Sequence, residues 1–453
     1  MKILLRGGRV IDPASKRDET TDVLIDGGKI VAIDRKIREG AAEDATTLNA
    51  EGLVVAPGLV DMHVHFREPG QEYKEDIASG SRAAAAGGVT SVACMPNTDP
   101  PLDNDALIAQ IVKRGIEVGL CRVHPIAAIT RGIEGRDITE MMLMRQAGAV
   151  GFSDDGRPVV DARVMRRALE YARLTDVPVI SHCEETSLSQ GGHMHEGAVS
   201  TRLGIKGIPA ASEDIGVARD VRLAEITGGR LHVCHVSTAR SIEVIREAKA
   251  RGVRVTAEAT PHHFTLTDEA CEGFDANTKM NPPLRSEEDR AAVIQGLIDG
   301  TLDAIATDHA PHAEREKLVE FDRAPFGIIG LETSLALAIT SLVVPGHLDL
   351  PALVRLMSTA PATILGLEAG TLKKGAPADI VVFDPNTSWT FEREDIRSKS
   401  QNTPFLGYSL TGRVLLTIRE GKIVHERKEG RSRIGTGRRS KVEEGEPLGS
   451  ARS

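Results

Sequence analysis

Cysteine, long apolar runs and excess positive charge are all scarce in this sequence, and each shortage excludes a class of protein. The five cysteines are widely scattered without CxxC spacing, which argues against a disulfide framework or a cysteine zinc site and suits a reducing cytosol. A net charge of −9 offers no attraction to nucleic acid. No apolar stretch reaches the roughly 18 residues of a membrane span, and the apolar start MKILL is too short for a signal peptide. We therefore expect a cytoplasmic protein that binds neither nucleic acid nor membrane.

Apolar runs alternate with helical stretches through the middle of the chain. Eight such strand–helix units fill roughly 270 residues, which are the count and size of an α/β protein built as a (β/α)8 barrel. An open doubly wound sheet is the alternative, but no GxGxxG follows the first strand. The strand-like runs are LVVAPGLVDMHVH, GVTSVACMPN, CRVHPIAAI, AVGFSDDG, VPVISHCE, RLHVCHVS, RVTAEATPHH and DAIATDHAPH.

The two ends of the chain share a different texture, of short β-branched runs split by glycines. GGRVIDP and IDGGKIVAI near the start resemble ADIVVFDP, GRVLLTI and EGKIVHE near the end, which predicts strands from both termini that pair into one small β-sandwich domain. The sequence thus divides into β-sandwich segments 1–55 and 366–426 and a barrel 56–365. A tail, 427–453, is rich in glycine, serine and charge and is expected to be disordered.

Polar residues collect where the barrel runs end. The carboxyl ends of barrel strands open on one face, which carries the active site in such barrels. Imidazole and carboxylate groups are the ligands of zinc and similar divalent metals, so the sequence predicts a metal site on this face. The residues at these ends are His63, His65, Asn97, Asp154, Asp155, His182, His235, His262, His263, Asp308, His309 and His312.

The stretch DMHVHFREPG carries the strongest local signal. Side chains at alternate positions of a strand share a face, so His63 and His65 point the same way, and Arg67 follows if the chain stays extended. Periodicity does not choose between neighbours: Asp154 and Asp155 face opposite sides, as do His232 and His235, and either member of each pair could point inward.

Seven motifs in this order resemble those of the type I dihydroorotases, a class within the amidohydrolase superfamily: HVHFREPG, MPNTDP, GFSDDG, HCE, HVCHVS, KMNPPLR and ATDHAPH. The resemblance runs from the N-terminal strands to about residue 425 and leaves out the tail. It implies an amidohydrolase-type barrel with two Zn²⁺ ions. The implied ligands are His63, His65 and Asp308 for one metal, His182 and His235 for the other, and Asp155 as the bridge between them.

The resemblance also implies a reaction, the reversible hydrolysis of the cyclic amide of (S)-dihydroorotate to N-carbamoyl-L-aspartate in pyrimidine biosynthesis. In that reaction Asp308 acts as general base and acid, moving a proton from a hydroxide-forming water shared by the metals to the leaving amide nitrogen. Hydantoinases and allantoinases of the same superfamily bridge their metals with a carboxylated lysine, and GAVGFSDDGRP contains no lysine.

Substrate contacts follow from the same resemblance. Arg67, Asn97 and His312 are expected to bind the ring carboxylate, for which a guanidinium fork is suited, with His65 beside them. Asn281 and the backbone at Phe326 and Gly327 are expected to hold the ring amides. The alternatives are a rim ion pair of Arg67 with Glu68 or Glu72, a turn role for Asn281 before its prolines, and packing roles for His262 and His263.

Other functions stay open at this point. The alternatives are another cyclic amidohydrolase, of the hydantoinase or allantoinase kind, and a silent scaffold that binds aspartate carbamoyltransferase. The expected partners are a small-molecule substrate, further copies of the chain in a homo-oligomer and, as in some relatives, aspartate carbamoyltransferase.

Overall fold

A computed structural model describes residues 2–427, 434 and 435 of the chain. Five strands near the N-terminus begin the fold. The first two pair in antiparallel fashion, from Ile3 with Ile25 to Asp12 with Arg17. Their bounds are β1 Ile3–Asp12, β2 Arg17–Asp26, β3 Lys29–Asp34, β4 Thr46–Asn49 and β5 Val54–Pro57.

The run LVVAPGLVDM, predicted as one buried strand, is two strands that meet at Gly58. The first is β5, which pairs with β1, and the second, β6 Leu59–Val64, opens the barrel. A side chain at Gly58 would begin 2.2 Å from the Thr90 hydroxyl oxygen, so only glycine fits where the chain passes from one sheet to the other. The N-terminal strands therefore extend to Pro57, two residues beyond the predicted boundary.

Parallel strands alternate with helices through the barrel, as expected. After β6 come α1 Ile77–Ala86, β7 Val89–Cys94, α2 Asp105–Val118, β8 Arg122–Pro125, β9 Ala127–Ala128, α3 Met141–Ala147, β10 Phe152–Ser153, α4 Ala162–Ala172, β11 Val179–Ser181, α5 Thr186–Ser189, β12 Met194–His195, α6 Ala198–Leu203, β13 Gly207–Ile208, α7 Ala210–Thr227, β14 Leu231–Val233, α8 Ala239–Ala250, β15 Val255–Ala259, α9 Pro261–Thr265, α10 Glu287–Asp299, β16 Ala304–Ile305, α11 Glu314–Lys317, α12 Ser334–Ala338, α13 Leu350–Val354 and α14 Ala360–Leu365.

The barrel closes between its first and last strands. Hydrogen bonds order the strands as β6-β7-β8 and β16-β15-β14-β11-β10-β9, and β8 and β9 follow one another with only Ile126 between them. Val64 forms a parallel bridge with His309, and the His65 N–H donates to the His309 carbonyl at 2.8 Å. Eight strand positions therefore form a ring, and the predicted (β/α)8 barrel is confirmed.

Capping residues set the ends of the longer helices. The side chain of Asn104 accepts from the Leu107 N–H at the start of α2, and Gly119 ends that helix with a φ of 70°. Thr238 and Ser286 cap α8 and α10 in the same way. Such caps satisfy amide groups that have no partner within the helix, so the turns around the barrel have defined positions.

The C-terminal strands return to the N-terminal ones. They are β17 Ile380–Thr390, β18 Ser409–Arg419 and β19 Lys422–Glu426. One sheet runs in the order β19-β18-β17-β5-β1-β2-β3, with β4 on β1. Strands from the two ends of the chain thus pair directly, as β5 does with β17. Among the described residues, no helix is both long enough and apolar enough to cross a membrane.

Most of the predicted tail lies outside the described residues. Ile434 is described, and it is 1% exposed, as a member of the apolar cluster of this terminal sheet that also contains Leu5, Val382 and Leu415. This buried isoleucine packs against the sheet, and the predicted disorder of the other tail residues falls mostly outside the described part of the chain.

Candidate metal centre and substrate cavity

The carboxyl ends of the barrel strands carry the predicted site residues. Three of these residues, Arg67, His235 and Asp308, have left-handed backbones with φ of 60°, 34° and 49°. Non-glycine residues rarely adopt this conformation, and it is found disproportionately at functional sites, where the surrounding structure holds it. Here it turns the chain sharply at the points where the strands reach the mouth of the barrel.

A cavity of about 210 Å³ lies at this mouth. Every predicted site residue except His63 lines it, and His63 is fully buried among these residues. The lining comprises His65, Arg67, Asn97, Asp155, Gly156, His182, His235, Asn281, Asp308, Ala310, His312, Phe326 and Gly327. A wider cavity shares Gly156, Asn281 and Phe326 with it, so the two cavities adjoin.

Two overlapping groups of potential metal ligands lie beside this cavity. One contains His63, His65 and Asp308, and the other contains His63, Asp155, Cys234 and His235; within each group the ligand atoms lie within 4.8 Å of one another. Cys234 was not predicted from the sequence. It is buried, and burial raises the pKa of its thiol.

Asp155 lies between the histidines, whereas Asp154 does not. One carboxylate oxygen of Asp155 is 3.5 Å from His63 Nε2 and 3.9 Å from His235 Nε2, and the other is 3.5 Å from His65 Nε2. Asp154 instead accepts from the N–H groups of Ile129 and Thr130 at 2.8 and 3.0 Å. The two neighbours that periodicity could not separate thus have different roles, and Asp154 holds a turn.

The cluster fits a bound metal because two of its buried polar atoms have no other partner. Among the described residues, His63 Nε2 and Asp155 Oδ1 lack a hydrogen-bond partner. Leaving a buried polar atom unsatisfied costs about 1–3 kcal/mol, and a coordinated cation removes that cost. Imidazole and carboxylate together are also the donor set that zinc prefers.

His182 is held from both sides. Its Nδ1 lies 2.9 Å from His235 Nε2 and 3.9 Å from Asp155 Oδ1, and its Nε2 lies 2.9 Å from Glu184 Oε2. The Asn281 amide also donates to Glu184, at 3.1 Å. A carboxylate on one ring nitrogen leaves the other as the metal ligand, so His182 presents Nδ1 toward Asp155.

Glu258 supports His63 from beneath the cluster, and the sequence did not predict it. It is fully buried, with one oxygen 2.8 Å from His63 Nδ1 and the other 3.1 Å from His232 Nε2. Burial disfavours its charge, but the hydrogen bonds from both histidines lower the pKa of Glu258 to about 2. Glu258 lies inside strand β15, before the polar residues that follow the strand, so the pattern of polar residues at strand ends does not include it.

Arg67 is buried in the cavity without an anionic partner. Its Nε donates to the Pro311 carbonyl at 3.2 Å, and no carboxylate of the described residues lies within 4 Å as an ion pair. Glu68 pairs with Arg114 instead, and Glu72 accepts from the Gly70 N–H. Burial lowers the pKa of the guanidinium. The predicted alternative, a rim ion pair with Glu68 or Glu72, is therefore absent from the described structure.

The opposite wall of the cavity consists of His312, Phe326 and Gly327. His312 Nε2 donates to the Phe326 carbonyl at 2.8 Å, and the Gly327 N–H donates to the Lys279 carbonyl at 2.9 Å. Burial, and to a smaller extent the positive charge of Arg67, lowers the pKa of His312 to about 2. Its ring is therefore neutral. The carbonyls of Phe326 and Gly327 each keep a second acceptor position.

His262 and His263 are packing residues in this structure. Both are buried, with ring centroids 4.5 Å apart. His263 contacts the Thr260 hydroxyl at 2.8 Å and the Pro282 carbonyl at 3.0 Å. His309 likewise bonds away from the cavity, to Glu75 and to the Gly330 N–H.

Comparison with known proteins identifies the family of this chain. The family description "Dihydro-orotase-like" matches residues 52–241, and "Amidohydrolase family" matches residues 327–425. Proteins named dihydroorotase are 54% identical in Geotalea daltonii, covering 94% of this chain and 100% of the relative, and 56% identical in Pelotomaculum thermopropionicum, covering 94% and 98%. The chain belongs to the dihydroorotase family. Dihydroorotases are metal-dependent cyclic amidohydrolases, so the resemblance read from the seven motifs is confirmed.

Solved structures place the dihydroorotase fold beside that of the hydantoinases. An L-hydantoinase (dihydropyrimidinase) from Arthrobacter aurescens is 26% identical with a TM-score of 0.82, covering 94% of this chain and 96% of that one. A D-hydantoinase (dihydropyrimidinase) from a Thermus species is 26% identical with a TM-score of 0.78, covering 94% and 95%.

Proposed function

We propose that this chain catalyses the reversible ring opening of (S)-dihydroorotate to N-carbamoyl-L-aspartate. The observation that carries the proposal is Arg67, a buried guanidinium that has no ion-pair partner among the described residues and lies in the cavity beside the candidate metal ligands. A buried charge is costly unless it is paired, and dihydroorotate carries a ring carboxylate that hydantoin and dihydrouracil lack. The names of the relatives support the same substrate.

Two divalent metal ions, zinc by preference, would be held at the strand ends. His63, His65 and Asp308 would bind one, His182 and His235 the other, and Asp155 would bridge them; the contacts of Asp155 with both sets of histidines support this division. When bound, the ions supply Lewis acidity and lower the pKa of water. Glu258 and Glu184 would orient His63 and His182.

The substrate would be bound mainly by groups that do not bind metal. Arg67, Asn97 and His312 would hold the ring carboxylate, with His65 beside it. The His312 Nε2–H, which donates to the Phe326 carbonyl in this structure, would then donate to the carboxylate instead. Asn281 would donate to or accept from the ring amides, and the backbone carbonyls of Phe326 and Gly327 would accept from the ring N–H groups. The Asn97 amide supports this role because, in the part of the chain that the structure describes, it donates only to Asp155, in two long contacts of 3.4 Å.

Asp308 would move the proton. Its carboxylate is buried and lies 3.1 Å from His65 Nε2, and the contacts with His63 and His65 outweigh burial and lower its pKa. An ionised carboxylate at this position can accept a proton from the attacking water and deliver it to the leaving amide nitrogen.

A substrate panel tests the proposal. Purified protein loaded with zinc should turn over dihydroorotate in both directions, and should turn over hydantoin and allantoin at least about a hundredfold more slowly. Preference for hydantoin or allantoin would make the chain one of those amidohydrolases. If the protein contains its full complement of metal but turns over none of the three substrates, the scaffold function is the remaining alternative. Self-association and binding to aspartate carbamoyltransferase stay predictions, for which sedimentation of the chain alone and mixed with that enzyme is the measurement.

A further inference from the structure

One asparagine from outside the barrel contacts both walls of the substrate cavity. Asn402 lies between β17 and β18, in the part of the chain that returns to the terminal sheet, and its side chain is 4% exposed. Its carbonyl oxygen accepts from the His312 N–H at 3.1 Å, and its amide donates to the carbonyls of Ala310 and Gly327 at 3.0 and 3.1 Å. Three backbone groups of the cavity lining thus converge on one side chain.

These three contacts set the position of Arg67 indirectly. Ala310 and His312 flank Pro311, and the Pro311 carbonyl accepts from Arg67 Nε at 3.2 Å. Asn402 therefore holds the backbone on both sides of the residue that orients the guanidinium. Because the Asn402 amide also donates to the Gly327 carbonyl, it connects the backbone around Pro311 to the cavity wall that contains Gly327.

The segment that carries Asn402 is anchored, so it can act as a rigid support. The main-chain carbonyl of Asn402 accepts from the Ile329 N–H at 2.9 Å. Ser398 and Lys399 bond to the fully buried Glu75, and the Ser400 hydroxyl donates to the Lys74 carbonyl at 2.6 Å. Phe405 packs in the apolar cluster that includes Ile328 and Ile329.

We infer that Asn402 is a positioning residue for substrate binding, and that the C-terminal segment it belongs to takes part in selecting a carboxylate-bearing ring. The inference rests on the proposed function and extends it to a residue that touches neither metal ligands nor substrate. Serine or aspartate at this position cannot donate to both carbonyls while accepting from His312, so the turn at Pro311 loses its fixed position.

The test compares Asn402→Ser and Asn402→Asp with the wild type and with Asn49→Asp, a matched change on an exposed residue of β4. The measurements are KM and kcat for dihydroorotate, metal content and melting temperature. We expect KM to rise at least about tenfold in both Asn402 variants while kcat stays within about threefold and both metals stay bound. The Asp variant keeps the shape of the side chain and carries the test if the Ser variant does not fold.

A double variant that combines an Asn402 substitution with Arg67→Met shows whether Asn402 acts by positioning Arg67 or by stabilising the cavity in general. If Asn402 acts through Arg67, the loss in kcat/KM of the double variant should be at least about threefold smaller than the product of the two single losses. Unchanged KM in the folded single variants, or losses that multiply fully, would overturn the inference. A wild-type protein that is inactive on dihydroorotate would instead overturn the proposed function, before any variant is compared.

Discussion

Arg67 decides substrate choice at the scale of single residues. A hydrogen bond to a charged group contributes about 1.5–3 kcal/mol, and 1.4 kcal/mol is a factor of ten. Arg67→Met should therefore lower kcat/KM for dihydroorotate by at least roughly tenfold to a hundredfold and should affect dihydrouracil much less. Both substrates are to be assayed with metal content measured.

Arg114→Met provides the matched control, because that arginine pairs with Glu68 at the rim and is half exposed. Its variant should keep wild-type kinetics. Equal losses on both substrates in Arg67→Met would mean that this arginine supports the architecture of the cavity, not the carboxylate.

Asp308 bears on the chemical step. An amide in its place cannot accept a proton, and a positioned acid–base group contributes roughly 10²–10⁴-fold. Asp308→Asn should lose turnover by that factor in both directions while the fold is kept. Circular dichroism and metal analysis accompany the assay, and a fully metallated variant with a near-normal rate would remove Asp308 from the mechanism.

At this scale the sequence was informative where a residue lies at the end of a strand or is implied by the family resemblance, and uninformative elsewhere. His63, His65, Asp155, His182, His235 and Asp308 all come together as the motifs predict. Cys234, Glu258 and Asn402 escaped prediction for physical reasons. Glu258 lies within a strand, Cys234 is a single thiol beside a histidine, and Asn402 reaches the cavity from a distant segment.

At the scale of secondary-structure elements, contacts between barrel strands position the candidate metal ligands. Glu258 on β15 contacts His63 on β6, and Asp61 on β6 accepts from the N–H groups of His63 and Thr307 at 3.1 and 3.2 Å. Burial raises the pKa of Asp61 to about 6. Carboxylates inside the barrel thus join its first strand to its seventh and to the chain that follows the eighth.

Neutralising Glu258 should weaken metal binding with little effect on the fold. Groups that orient ligands typically change metal affinity by about 10–100-fold, so Glu258→Gln should lower zinc affinity by that factor in competition with a chelator. Glu332→Gln is the control, since Glu332 is also buried but accepts from Arg397 and Ser398 backbone groups away from the cluster. Equal affinity in the two variants would contradict the role.

The boundaries of the strands could be predicted only in part from the pattern of apolar residues. All eight barrel runs contain the predicted strands, because a strand covered on both faces is apolar throughout. The same rule merged β5 with β6, since both are buried and Val54, Val55, Leu59 and Val60 continue the apolar character across Gly58. Only the close approach of Thr90, which depends on tertiary structure, divides them.

At the scale of the whole molecule, stability depends on a residue beyond the last strand. Truncating a buried isoleucine to alanine costs about 2–5 kcal/mol, and Ile434 is 1% exposed. Ile434→Ala should lower the melting temperature of the chain, and ending the chain after Glu426 should lower it at least as much. Calorimetry is the measurement.

Ile116→Ala makes the same chemical change at a residue that is 70% exposed and should leave the melting temperature nearly unchanged. A truncated chain as stable as the full one would show that the contact of Ile434 contributes nothing.

The pairing of β5 with β17 has a consequence for synthesis on the ribosome. Val54–Pro57 emerges early, but its neighbour Ile380–Thr390 is made more than 300 residues later. Until then the nascent sheet has an open, apolar edge, which is a template for unwanted association. The barrel between the two segments can close first, so it would bring them together, and Val54–Pro57 would reach its final contacts long after its own synthesis.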